Sequence, residues 1–168
     1  MYIRVSDILK DGLTVADATA VGPFSDPAWR LDRVSLHVVR DDVDVLVSGE
    51  IRATVPQLCG RCLEPFPAGV RAAVDVRLIP RPATPDNVEL ASDDLDVDFY
   101  QNDELDLSAL VEAETTLALP MKPLCREDCR GLCPVCGGNR NVVACACTEQ
   151  APVARLAVLK DSATRLSH

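Results

Sequence analysis

Eight cysteines constrain this chain of 168 residues more than any other feature, because of where they stand. Cys59-Gly60-Arg61-Cys62 and Cys133-Pro134-Val135-Cys136 have CxxC spacing, and Cys125, Cys129, Cys145 and Cys147 flank the second pair. A CxxC turn aims both sulfurs at one ion while its backbone amides face the thiolates. Gly60 in the first pair and Gly137-Gly138 after the second supply the backbone freedom such turns need. The opening MYIRVSDILKDG has no apolar stretch long enough for an export signal, so the expectation is a cytoplasmic protein. Thiols there are kept reduced, which argues against a disulfide framework. Repeated CxxC pairs with satellite cysteines instead predict tetrahedral thiolate sites, with Zn2+ the first choice and two ions for eight ligands.

Two partitions of the ligands are open. In one, Cys133, Cys136, Cys145 and Cys147 form a local site, and Cys125 and Cys129 join Cys59 and Cys62 across a long loop. In the other, Cys125, Cys129, Cys133 and Cys136 form the local site. The first leaves each site one CxxC turn and is the one expected, although spacing alone does not choose.

Period-two hydrophobicity places the first turn between strands. Val34, Leu36 and Val38 alternate before a turn at Asp41-Asp42, and Val43, Val45, Val47, Ile51, Ala53 and Val55 alternate after it. Gly49 within the second run suggests a bulge. Val70, Ala72, Val74, Val76 and Leu78 line a third strand, ended by Pro80, Pro82 and Pro85. Leu107, Leu110, Val111, Leu117 and Ala118 have helical spacing, with Asp106 or Ser108 to cap the helix and Pro120 to stop it. Pro152 is placed to open a last helix with Val153, Leu156 and Leu159. The expectation is an α+β fold: an antiparallel β-sheet or partial barrel, one main helix and a C-terminal zinc-organised segment. We expect a single domain over 1–168, with an acidic flexible loop over 81–105 and the cysteine-rich segment over 125–147.

Charge narrows the function. Of 26 acidic residues, Asp86, Glu89, Asp93, Asp94, Asp96, Asp98, Asp103, Glu104 and Asp106 fall in a stretch without Lys or Arg. Without them acids and bases balance, so broad phosphate binding is not advertised. The acidic run reads as a solvated loop or as a face for a basic partner. Three Phe, two Tyr and one Trp argue against stacking of bases on aromatic platforms. No apolar run approaches the roughly 18 residues of a membrane span. No HExxH, P-loop, GxSxG or dinucleotide fingerprint points to a small-molecule substrate. Catalytic zinc keeps an open position and often uses His, whereas the two histidines, His37 and His168, read as structural or terminal.

Three blocks resemble the YceD family, named for large ribosomal RNA subunit accumulation. They are VLVSGEIRATVPQLCGRCLEPF (residues 45–66), DLSALVEAETTLALPMKPLCREDCRGLCPVCGGNRN (residues 106–141) and CAC (residues 145–147). Asn139 and Asn141 fall on the family's N-x-N element, with Arg140 where Leu is usual. The resemblance implies a factor in accumulation or maturation of large-subunit rRNA with no established reaction, hence no catalytic residues. Its expected partner is large-subunit rRNA or a basic ribosomal protein. Arg61, Arg126, Arg130 and Arg140, in or near the CxxC turns, are the candidate RNA-binding residues, since a metal-fixed arginine cluster grips phosphates even on an acidic protein. The alternative is a rubredoxin-like iron or thiol redox module, because CPVCG also resembles a rubredoxin knuckle and all-thiolate sites suit iron.

Overall fold

The alternating runs form long strands in the computed structural model, which describes residues 1–81 and 97–148. In chain order the elements are β1 (Tyr2–Arg4), a 3-10 turn (Val5–Asp7), β2 (Leu13–Val15), α1 (Ala18–Val21), β3 (Arg30–Asp41), β4 (Asp44–Leu58), β5 (Pro65–Pro80), β6 (Val97–Tyr100), β7 (Glu104–Asp106) and α2 (Leu107–Leu117). The described residues fall into two compact units, where the sequence suggests one domain. Unit 1 comprises Met1–Gln57 and Pro65–Pro123; unit 2 comprises Leu58–Glu64 and the chain from Leu124.

Unit 1 is built on a five-stranded sheet in the order β2-β3-β4-β5-β6, beside a two-stranded β1-β7 ribbon. Strands β2 to β4 pair antiparallel, as alternation with one wet face predicts. The far edge differs: β6 pairs with β5 in parallel, Arg77 opposite Val97 through Pro80 opposite Tyr100. Val34, Leu36 and Val38 on β3, Val45, Val47, Ile51, Ala53 and Val55 on β4, and Val70, Ala72, Val74 and Leu78 on β5 fill the inner face. Each of the Val, Leu and Ile side chains contributes roughly 1.5–3 kcal/mol relative to exposure. Helix α2 packs on β5 and β1 through a stripe that includes the buried Leu107, Leu110, Val111 and Thr115. Asp106 caps it, accepting from the amides of Ser108 at 3.1 Å and Ala109 at 3.3 Å. The buried Thr115 hydroxyl is satisfied by the Val111 carbonyl at 2.7 Å.

Two expectations change. The bulge is not at Gly49, which sits in regular register opposite Leu36; the alternation keeps one phase from Val45 to Val55, so no residue has to be absorbed there. Gly49 is instead required by close approach. Its φ is +148°, and a Cβ there would lie 2.0 Å from the Ser35 carbonyl oxygen. The register shift falls between Leu31 and Arg33 on β3, with Asp32 as the extra residue. Of the stretch 81–105 read as an acidic loop, Val97–Tyr100 is strand, because Val97, Phe99 and Tyr100 interrupt the acids with β-forming side chains. Glu104 and Leu105 of that stretch belong to β7, while residues 82–96 and the helix expected from Pro152 lie outside the described residues.

Candidate metal centre

The described residues of unit 2 form no named helix or strand beyond Leu58, and cysteine turns shape their backbone. In the first, the amide of Cys59 donates to the Glu64 carbonyl at 3.0 Å and that of Leu63 to the Cys59 carbonyl at 2.9 Å. Leu63 takes a positive φ of 59° to close the turn. In the second, the Cys133 amide donates to the Gly138 carbonyl at 2.8 Å and the Gly137 amide to the Cys133 carbonyl at 2.9 Å, with Gly137 at φ +71°. The glycine there has the conformation that L side chains rarely adopt.

These turns gather all eight sulfurs into two sets, Cys59, Cys62, Cys125 and Cys129, and Cys133, Cys136, Cys145 and Cys147, with the sulfurs of each set within 4.8 Å of one another. Each set owns one CxxC turn. An ion with four tetrahedral thiolate bonds of about 2.3 Å needs sulfur–sulfur edges of about 3.8 Å. Cys59–Cys129 and Cys62–Cys125 are each 3.8 Å apart, and all eight cysteines are free of disulfides. Both sets can therefore hold a metal ion. They differ in exposure: Cys59, Cys62 and Cys129 are buried, whereas Cys136 and Cys147 are open to solvent.

The protonation pattern fits cation binding. Backbone donors at Cys125 and Cys62 lower the Cys59 thiol to about 6, and those at Cys136 and Val135 lower Cys133 to about 6. Burial and then the neighbouring Cys59 sulfur push Cys125 up to about 12; the Cys136 sulfur and then burial do the same to Cys147. Four thiols this close share few charges until a cation compensates them.

Around the first set, the residues between the turns are tied down individually. The Arg61 guanidinium donates from Nη1 to the carbonyls of Glu127 and Cys129, both at 3.0 Å. Gly131 passes so close to Arg61 that a Cβ would sit 2.9 Å from the Arg61 carbonyl oxygen. Asn141 donates from Nδ2 to the Cys129 sulfur at 3.3 Å and to Asn139 Oδ1 at 2.8 Å; its Oδ1 accepts from Arg126 Nη2 and the Arg130 amide, each at 2.8 Å. The thiol of Cys129 is lowered, with the Asn141 amide the main stabilising donor against burial. Asn139 Nδ2 reaches Glu64 Oε1 at 3.4 Å. The N-x-N spacing signals this pair in the sequence, but not that Asn141 returns to a cysteine sulfur.

The four candidate RNA-binding arginines separate into two kinds. Arg61 and Arg126 spend their guanidinium groups on unit 2 itself, Arg126 also lying 3.4 Å from Asp128. Arg130 and Arg140 are exposed, make no side-chain hydrogen bond or ion pair among the described residues, and share a shallow hollow with Val143, Ala144 and Cys145. No helix among the described residues is long and apolar enough to cross a membrane.

Several known proteins are similar to this chain. An uncharacterised protein of Mycobacterium tuberculosis is 37% identical over 105 residues, covering 62% of this chain and 49% of its own length. A second, from Mycobacterium leprae, is 31% identical over 104 residues, covering 62% and 46%. From Zea mays, the chloroplastic large ribosomal RNA subunit accumulation protein YCED homolog 1 is 27% identical over 139 residues, covering 68% and 47%. The chain thus spans about half the length of the curated relatives it matches. No solved structure matches. Residues 47–161, from within β4 through both cysteine sets, match the family described as large ribosomal RNA subunit accumulation protein YceD, and the chain belongs to that family.

Proposed function

We propose that this chain is a non-enzymatic, zinc-organised factor that supports accumulation of large-subunit rRNA by binding that RNA or a basic ribosomal protein. The observation that carries the reading is the pair of four-sulfur sets in a member of a family named for that accumulation. Cys59, Cys62, Cys125 and Cys129 hold one Zn2+; Cys133, Cys136, Cys145 and Cys147 hold the other. A site whose four positions are all thiolate leaves none for a substrate or an activated water, so the metal serves folding rather than chemistry. Arg61 and Arg126 shape the first site, and Arg130 and Arg140 present the bases of unit 2 to a partner. The protein acts in the cytoplasm, without a membrane or small-molecule substrate.

Two measurements test this reading. Ultraviolet crosslinking in cells, with sequencing of bound RNA and mass spectrometry of bound protein, is expected to recover large-subunit rRNA or a basic ribosomal protein. Deletion is expected to lower large-subunit rRNA relative to small-subunit rRNA. Balanced rRNA after deletion, with neither partner crosslinked, contradicts the proposal.

A further inference from the structure

On the outward face of the sheet in unit 1, arginines outnumber the carboxylates that serve them. Arg33 on β3 stands directly opposite Arg52 on β4, a like-charge cross-strand pair of the kind that destabilises a sheet. Glu50 is shared: it accepts from Arg52 Nε at 2.6 Å and from Arg71 Nε on β5 at 2.7 Å. Arg30 donates to Asp32 Oδ1 at 2.7 Å, and Thr54 donates to Asp32 Oδ2 at 2.6 Å. Three arginines therefore share two carboxylates, and the fourth, Arg33, has no ion pair or side-chain hydrogen bond among the described residues. Farther along the face, Arg77 and Asp44 pair one to one.

The backbone contributes to this arrangement. The extra residue Asp32 keeps Leu31 opposite the buried Ala53 and Val34 opposite the buried Ile51, so Asp32 and Arg33 both fall on the exposed side. A bulge re-aims side chains in this way. The side chains remain open to solvent, 73% for Arg30, 52% for Arg52 and 70% for Arg71. Neighbouring strands lie about 4.8 Å apart, so Arg33 on β3, Arg52 on β4 and Arg71 on β5 stand on three successive strands that span roughly 10 Å.

We infer that this group, Arg30, Arg33, Arg52 and Arg71, is a phosphate-binding surface for the backbone of an RNA strand. The inference rests on the RNA half of the function proposed above and places a contact outside the cysteine unit. One guanidinium without a partner, Arg33, beside two that share the single carboxylate of Glu50, leaves local positive charge on an otherwise acidic chain and is complementary to a polyanion. Planar guanidinium forks match phosphate oxygens two at a time. With no aromatic side chain among these residues, the contact positions the strand and does not read its bases.

The test uses the full-length zinc-loaded protein and a 20-nucleotide single-stranded RNA, with binding followed by fluorescence anisotropy over a range of salt. The double variant Arg33→Thr/Arg52→Thr keeps β-forming side chains and removes the repulsive pair. Its affinity is expected to fall at least tenfold, and its salt dependence to lose about 1.4 from the slope of log K against log salt, about 0.7 for each phosphate contact. Its melting temperature is expected to stay level or rise. An unchanged affinity and slope overturns the inference. If Arg130→Ala/Arg140→Ala abolishes binding while the sheet variant binds normally, the inference fails but RNA binding stands. If the wild-type protein binds poly-glutamate and not RNA, both the inference and the RNA half of the function fail.

Discussion

Asn141 has no place among the metal ligands, yet its one amide serves the Cys129 sulfur, Asn139, Arg126 and the Arg130 backbone. Partners that orient a ligand tune metal affinity. Asn141→Ala is therefore expected to weaken metal retention at the first set by about 10–100-fold, measured by competition with a chromophoric chelator. Arg140→Leu, which changes an exposed side chain between the two asparagines, is expected to leave it unchanged. Equal retention in Asn141→Ala and wild type would contradict this role. The cysteines were legible from spacing because CxxC geometry is local. Asn141 was legible only as half of an N-x-N pattern, because the contact that matters joins it to a residue 12 positions earlier. The same limit applied to Arg61, whose guanidinium reaches carbonyls more than 60 positions away.

Strands and helix were readable where one period held over the whole element. The inner-face residues of β3, β4 and β5 alternate without a break, and the spacing of Leu107, Leu110 and Val111 marks α2. The parallel β6 was not readable, because four residues inside an acidic run carry too little pattern and strand direction is a tertiary property. Helix α2 offers a test at its cap. Although burial pushes the Asp106 carboxyl up, the Ser108 hydroxyl and the Ala109 amide hold its pKa below the usual carboxylate value. A lowered folded pKa contributes stability that is full above the unfolded value and is lost as pH falls through the folded one. Asp106→Ala is expected to cost about 0.5–2 kcal/mol at neutral pH. The gap to wild type should shrink below about pH 4, where the unfolded carboxyl begins to protonate. Unfolding followed by Trp29, packed against the core of unit 1, reads the difference; a gap independent of pH would contradict the capping role. The two cysteine sets predict a second outcome. Because Cys136 and Cys147 are exposed while Cys59, Cys62 and Cys129 are buried, a chelator should strip the metal in two phases. Cys145→Ser should abolish the fast phase and Cys59→Ser the slow one. A single phase lost in both variants would mean that the sets do not act separately.

For the whole molecule, the proposed function requires an acidic chain to meet its partner through local groups of arginine rather than through net charge. Metal-binding free energy is folding free energy for the segments a metal ties together. The described residues of unit 2 form no named helix or strand beyond Leu58, and metal at the two four-cysteine sets is expected to order them. The identity and number of ions held there is therefore the central claim. Elemental analysis, combined with native mass spectrometry of protein purified without added metal, measures both. The account predicts about two zinc ions per chain with all eight thiols reduced. Iron in place of zinc, or a metal-free chain with its cysteines paired as disulfides, would contradict it.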